Sequence, residues 1–100
     1  MAPATKENTR EHRVRALNGL NAALQDFDDS RSRDAFNLDS VQERIRATTA
    51  AYGQYVSWHN RFLDFPWEEA AMDVAHEEST AALKKINDAK AQFLALKRAS

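Results

Sequence analysis

Apolar residues recur at helical spacing near the start of the chain. Leu17, Leu20, Leu24 and Phe27 step by three and four, and Val14 stands beside them. One wet and one dry face follow from that spacing, predicting a first helix from about Thr9 to Phe27. Residues 1–8, with Pro3 among small polar neighbours, read as a flexible N-terminus preceding a single helical domain over 9–98. The following "DDSRSRD" (Asp28 to Asp34) is rich in turn-favouring residues and is expected to be a loop. A second stripe then runs through Leu38, Val41, Ile45, Thr48, Tyr52, Tyr55, His59 and Phe62. Two starts fit this helix. Asn37 as N-cap lets Phe36 and Val41 form a hydrophobic staple, whereas Ser40 as N-cap lets Glu43 complete a capping box. Pro66 disfavours helical geometry at Phe65, so the second helix should stop near Asp64. Proline suits the first turn of a helix, and Glu68 and Glu69 suit its positive end, so a third helix is expected from Pro66 to about Lys97.

The third stripe is heptad-like: Met72, Ala75, Ser79, Ala82, Ile86, Ala89, Phe93 and Leu96. Folding back at Phe65–Pro66 sets Ile45 against Ile86, Thr48 against Ala82, Tyr52 against Ser79, Tyr55 against Ala75 and Leu38 near Phe93. Bulky residues of one helix then meet small residues of the other, so their volumes interleave. The first helix buries its stripe by returning antiparallel to the second. The predicted fold is all-α, an elongated antiparallel three-helix bundle with a long helix 2–helix 3 hairpin. Gly19 costs about 1 kcal/mol against alanine in mid-helix, and is either tolerated or lets a second helix approach closely.

Composition agrees with few, long elements, because two glycines and two prolines leave little material for turns. With no cysteine, disulfides, thiolate metal sites and cysteine nucleophiles are excluded. No apolar run approaches the ~20 residues of a membrane span. The opening "MAPATKENTREHR" lacks the apolar centre of a secretion signal, so a cytoplasmic protein is the expectation. Net charge is −1, but its distribution is uneven. Asp64, Glu68, Glu69, Asp73, Glu77 and Glu78 precede Lys84, Lys85, Lys90, Lys97 and Arg98, a gradient that complements the dipole of one helix. Antiparallel packing would set Arg10, Arg13 and Arg15 beside its acidic start, and Asp26, Asp28 and Asp29 near its basic end.

Candidate chemistry is sparse. Asp73 and His76 have carboxylate–x–x–His spacing, but a helical di-metal site needs two such motifs and two further carboxylates. "HEEST" lacks the second histidine of a zinc-protease helix. No metal or other cofactor is therefore expected, and no nucleophile–base order or phosphate loop points to an enzyme. His59 falls on the inner stripe, where a half-buried, hydrogen-bonded imidazole is the ordinary outcome. The basic stretches are not interleaved with aromatics that stack bases, so nucleic acid is not the expected partner. Protein is the expected partner. Six of the nine aromatics lie between residues 52 and 67, and three of these fall off the centre of the core stripe. Trp58, Phe65 and Trp67, with Glu68 and Glu69, are the candidate partner-binding residues, an apolar tip ringed by acids. The plainer alternative is that these rings close the end of the bundle.

The order of features resembles the N-terminal helical region of Gag polyproteins from BEL/Pao-type retrotransposons. The residues that carry the resemblance are "RVRALNGLNAALQDFD", "SRSRD", "VQERI…YGQYVSWHNRFLDF" and "EEAAMDVAHEESTAALKKI", together spanning roughly residues 10–97. It implies a non-enzymatic interaction and self-assembly module, normally followed by a capsid region and often by zinc knuckles. Knuckles are excluded here by the lack of cysteine, so the resemblance implies a fragment or captured descendant. A small stand-alone binding protein, an inhibitor of phage or mobile-element type that blocks a larger target, is the alternative expectation.

Overall fold

A computed structural model describes residues 5–32 and 37–99. Three helices account for nearly all of them: α1 (Lys6–Ser32), α2 (Leu38–Leu63) and α3 (Glu69–Ala99). They form an all-α bundle measuring 48 × 30 × 18 Å. The closest pair is α1 with α2, while α3 packs mainly on α2 and touches α1 at few points.

Helix α1 exceeds its expected bounds at both ends. It begins at Lys6, so residues 6–8 form its first turn and are not part of a lead-in. Thr5 caps it, the Asn8 amide donating to Thr5 Oγ1 at 3.1 Å. At the other end, Asp28 to Ser32 continue the helix where a loop was expected. Turn-forming side chains usually compete for the backbone, but here they bond along the helix. Gln25 donates to Asp29 Oδ1, Ser30 Oγ donates to the Phe27 carbonyl, and Arg31 pairs with Asp28. The Arg31 guanidinium also covers the Phe27 ring.

Asn37 caps α2, in extended geometry (φ −135°, ψ 119°), with its side chain accepting from the Ser40 amide. The alternative box on Ser40 does not form; Ser40 Oγ instead takes a hydrogen bond from Arg44. Phe36, the other half of the expected staple, lies outside the described residues. Helix α3 starts at Glu69, so Pro66 precedes it and is not in its first turn. Glu68 stands at the cap position, its carbonyl accepting from the Met72 amide.

Most of the two long stripes is buried, whereas Leu38 and Tyr52 of α2 and Met72, Ser79, Phe93 and Leu96 of α3 are half-buried. Val41, Ile45, Thr48, Tyr55, His59 and Phe62 of α2 face Ala75, Ala82, Ile86 and Ala89 of α3 inside the bundle. One core cluster joins Phe27, Val41, Ile45 and Ala89, with Phe93 and Leu96 against it. The other joins Leu20, Tyr55 and Ala82. Thr48 Oγ1 bonds its own helix and also reaches the Ala23 carbonyl of α1. Gly19 and Gly53 both have open space where a side chain would stand, so neither serves a close helix approach within the chain.

Candidate functional site

The joint between α2 and α3 is closed by a side chain. In a continuing helix, the Phe62 carbonyl would accept the amide of residue 66, and a proline there has none to give. The Trp67 indole N–H donates to that carbonyl instead, at 2.7 Å, alongside the Phe65 amide at 3.2 Å. The indole also stacks on the Phe62 ring, centroids 4.3 Å apart. Lys6 and Arg10 of α1 bring their cations to 4.4 and 5.6 Å from the same indole. Trp67 is thus tied into the fold by its polar edge and its ring, and the cost of stopping α2 is offset locally.

Beneath this cap lies a buried polar centre that joins all three helices. Arg13 is 4% exposed, on the inward face of α1. Its Nε donates to His59 Nδ1 at 3.1 Å, Nη1 to Glu78 Oε1 at 3.0 Å, and Nη2 to both the Tyr55 hydroxyl and the Ala75 carbonyl at 3.1 Å. Four of the five guanidinium donors are thereby used. The guanidinium also lies over the Tyr55 and Phe62 rings. Burial raises the Tyr55 phenol above its usual range, against the lowering effect of Arg13 and of a bond from Ser79. Burial also lowers His59 from its ordinary value, and the Arg13 charge lowers it further, with Glu78 opposing. The Glu78 side chain is 37% exposed, so the carboxylate bonded to Arg13 is itself partly in water.

The candidate partner residues divide between two places. Phe65 and Trp67 are half-buried at the joint, and Glu68 and Glu69 are exposed beside them. Trp58 does not join that stack. It is half-buried against α1, with the His12 ring stacked 4.3 Å away and the Arg61 guanidinium 4.6 Å from its own ring. It lines a groove of about 330 Å³ with Arg15, Ala16, Gly19 and Ala51. His76 is exposed, and among the described residues no three His, Asp or Glu side chains gather to hold a metal ion.

Sequence reasoning placed Arg13 in a basic surface group beside the acidic start of α3. It does meet Glu78 there, but from inside the bundle. Val14, the apolar neighbour of the stripe, is 45% exposed. The signal was the heptad step from Arg13 to Leu20 to Phe27, visible once a polar residue is admitted to the stripe; Thr9, fully buried, extends it upstream. At the far end of α1, Asp26 pairs with Arg44 of α2, and Asp29 accepts from Gln25 of its own helix. Asp28 pairs with Arg31 and lines an open α1–α3 groove of about 350 Å³ whose wall includes Lys85.

Comparison with protein-family models, with curated proteins and with solved structures finds no match to this chain.

Proposed function

We propose that this chain is a non-enzymatic protein–protein interaction module of the cytoplasm that works by self-association, a second copy docking on α3. The carrying observation is the flank of α3 turned away from α1. Leu83 and Leu94 are 48% and 50% exposed there, about three turns apart on one line of the helix. Exposed Glu69 and Asp73 precede them on that flank, and exposed Lys90 and Arg98 close its basic end. A second α3 laid antiparallel brings acid to base at both ends and covers the leucines. The bundle is long and thin, so lateral pairing adds buried surface that a single copy lacks. Charge selects the antiparallel arrangement, and the leucines supply most of the affinity.

Kinship with the helical region of BEL/Pao-type Gag proteins belongs to this proposal and rests on the sequence segments between residues 10 and 97 that carry the resemblance. The second reading, a binder of one larger target, is favoured by the joint, where Phe65 and Trp67 are half-exposed beside Glu68 and Glu69.

Sedimentation across a concentration series separates the two. Self-association predicts a dimer that grows with concentration, weakens with salt and disappears in the double variant Leu83→Glu, Leu94→Glu. A strict monomer at millimolar protein would exclude the α3 pairing and leave the single-target reading.

A further inference from the structure

We propose that the Arg13–His59 contact is an acid-sensitive latch, whose release frees the first turns of α1 and uncovers the aromatic joint of the bundle. This stands independently of the self-association reading. The geometry carries it: Arg13 Nε donates to His59 Nδ1 in a buried site. Only a neutral imidazole has a nitrogen free to accept, so the bond requires the proton to sit on Nε2. Protonation converts the acceptor into a donor and sets two cations against each other where little water can separate them.

The surroundings do not compensate. From α1, Arg13 faces the imidazole; from α2, the Tyr55 ring stacks on it at 5.7 Å. From α3 come Glu78, which favours the charged ring, and His76, which disfavours it. Glu78 is already bonded to Arg13 Nη1, so one half-exposed carboxylate would have to serve two cations. The opened state therefore binds the proton more tightly than the closed one, in keeping with the lowered titration of His59. The latch is intact above the ordinary imidazole value of ~6.5 and weakens as pH falls from there through the folded value.

The opening is local because of how α1 is anchored. Upstream of Arg13, the cross-helix contacts of α1 include the Lys6 and Arg10 cations at the Trp67 ring and the His12 ring stacked on Trp58, each held at the surface. Thr9 is buried, and its hydroxyl bonds back to Thr5 within its own helix. Downstream, Leu20 and Phe27 are core residues. Losing the Arg13 bonds frees the first part and leaves the second in place, a sub-global unfolding unit. Trp67 is uncovered in the same step.

His59→Asn tests the latch, because the amide oxygen can stand where Nδ1 accepts and does not titrate. Amide hydrogen exchange is followed at pH about 7.5 and about 5.5, either side of the imidazole range and corrected for intrinsic rates. In the natural chain, protection over residues 6–16 should fall on the order of tenfold in acid, while residues 20–30 hold. In His59→Asn that loss should vanish. A natural chain whose α1 protection ignores pH overturns the proposal, as does the same acid loss in His59→Asn. Should His59→Asn fail to fold at neutral pH, NMR titration of the natural chain decides. The Trp67 indole resonance shifting together with the His59 titration upholds the latch, and an indole that does not follow His59 overturns it.

Discussion

Replacing Arg13 by methionine removes all four bonds that its guanidinium donates to the polar centre while keeping much of the side chain's length. His59 Nδ1 loses the Arg13 bond inside the bundle, a loss of about 1–3 kcal/mol. The Tyr55 hydroxyl retains Ser79, and the Ala75 carbonyl retains its own helix amide, so together they cost ~1 kcal/mol or less. Glu78 is 37% exposed and rehydrates, which limits its share to under about 1 kcal/mol. Loss of the cation over two aromatic rings adds roughly 0.5–2 kcal/mol. Against this, the variant no longer buries a guanidinium, a saving of a few kcal/mol that offsets part of the total. The net expectation is a destabilisation of about 1 kcal/mol, or a fall in Tm of roughly 4–8 °C for a domain this size. Circular-dichroism melting at pH about 7.5 keeps His59 neutral and isolates the effect. Val14→Ala, at the exposed neighbour, is the control and should stay within about 0.5 kcal/mol of the natural chain. A Tm for Arg13→Met at or above the natural value would show that desolvating the guanidinium outweighs its four bonds.

Gly19→Ala and Gly53→Ala each meet open space, so each should stabilise the chain by about 0.5–1 kcal/mol in chemical denaturation. A loss of dimer in sedimentation for Gly19→Ala would instead place a second copy on α1. Trp67→Phe keeps the stack on Phe62 but removes the indole donor, and should lower stability by about 1 kcal/mol. Trp67→Ala should lower it further. If Trp67→Ala instead weakens association and leaves the melt unchanged, the ring belongs to a partner surface and not to the cap. Ile86→Asp buries a charge at a position 1% exposed and should cost about 3–5 kcal/mol. An unaltered melt would remove Ile86 from the core between α2 and α3.

The helical stripes of α2 and α3 were legible because they are long and regular, and a buried face at helical period has one local solution. The stop at Pro66 was legible for a similar reason, since a missing amide acts wherever the chain goes. Local competitions were settled by partners at short range: Asn37 over Ser40 at the start of α2, and helix over loop at Asp28 to Ser32. In the second case, Gln25, Phe27 and Asp28 occupied the polar groups that would otherwise have made a turn. Arg13, by contrast, sits among Arg10, His12 and Arg15, and its heptad step to Leu20 and Phe27 puts it on the stripe without supplying the partners a buried charge needs. Its burial depends on His59 and Glu78 arriving from two other helices, 46 and 65 residues away. A charge is stable inside a protein only when such groups converge on it, and that convergence exists in the assembled bundle alone. Period and propensity are local and were determined by the sequence by itself; which polar residue is buried, and how Trp67 replaces the amide missing at Pro66, were decided by tertiary contact.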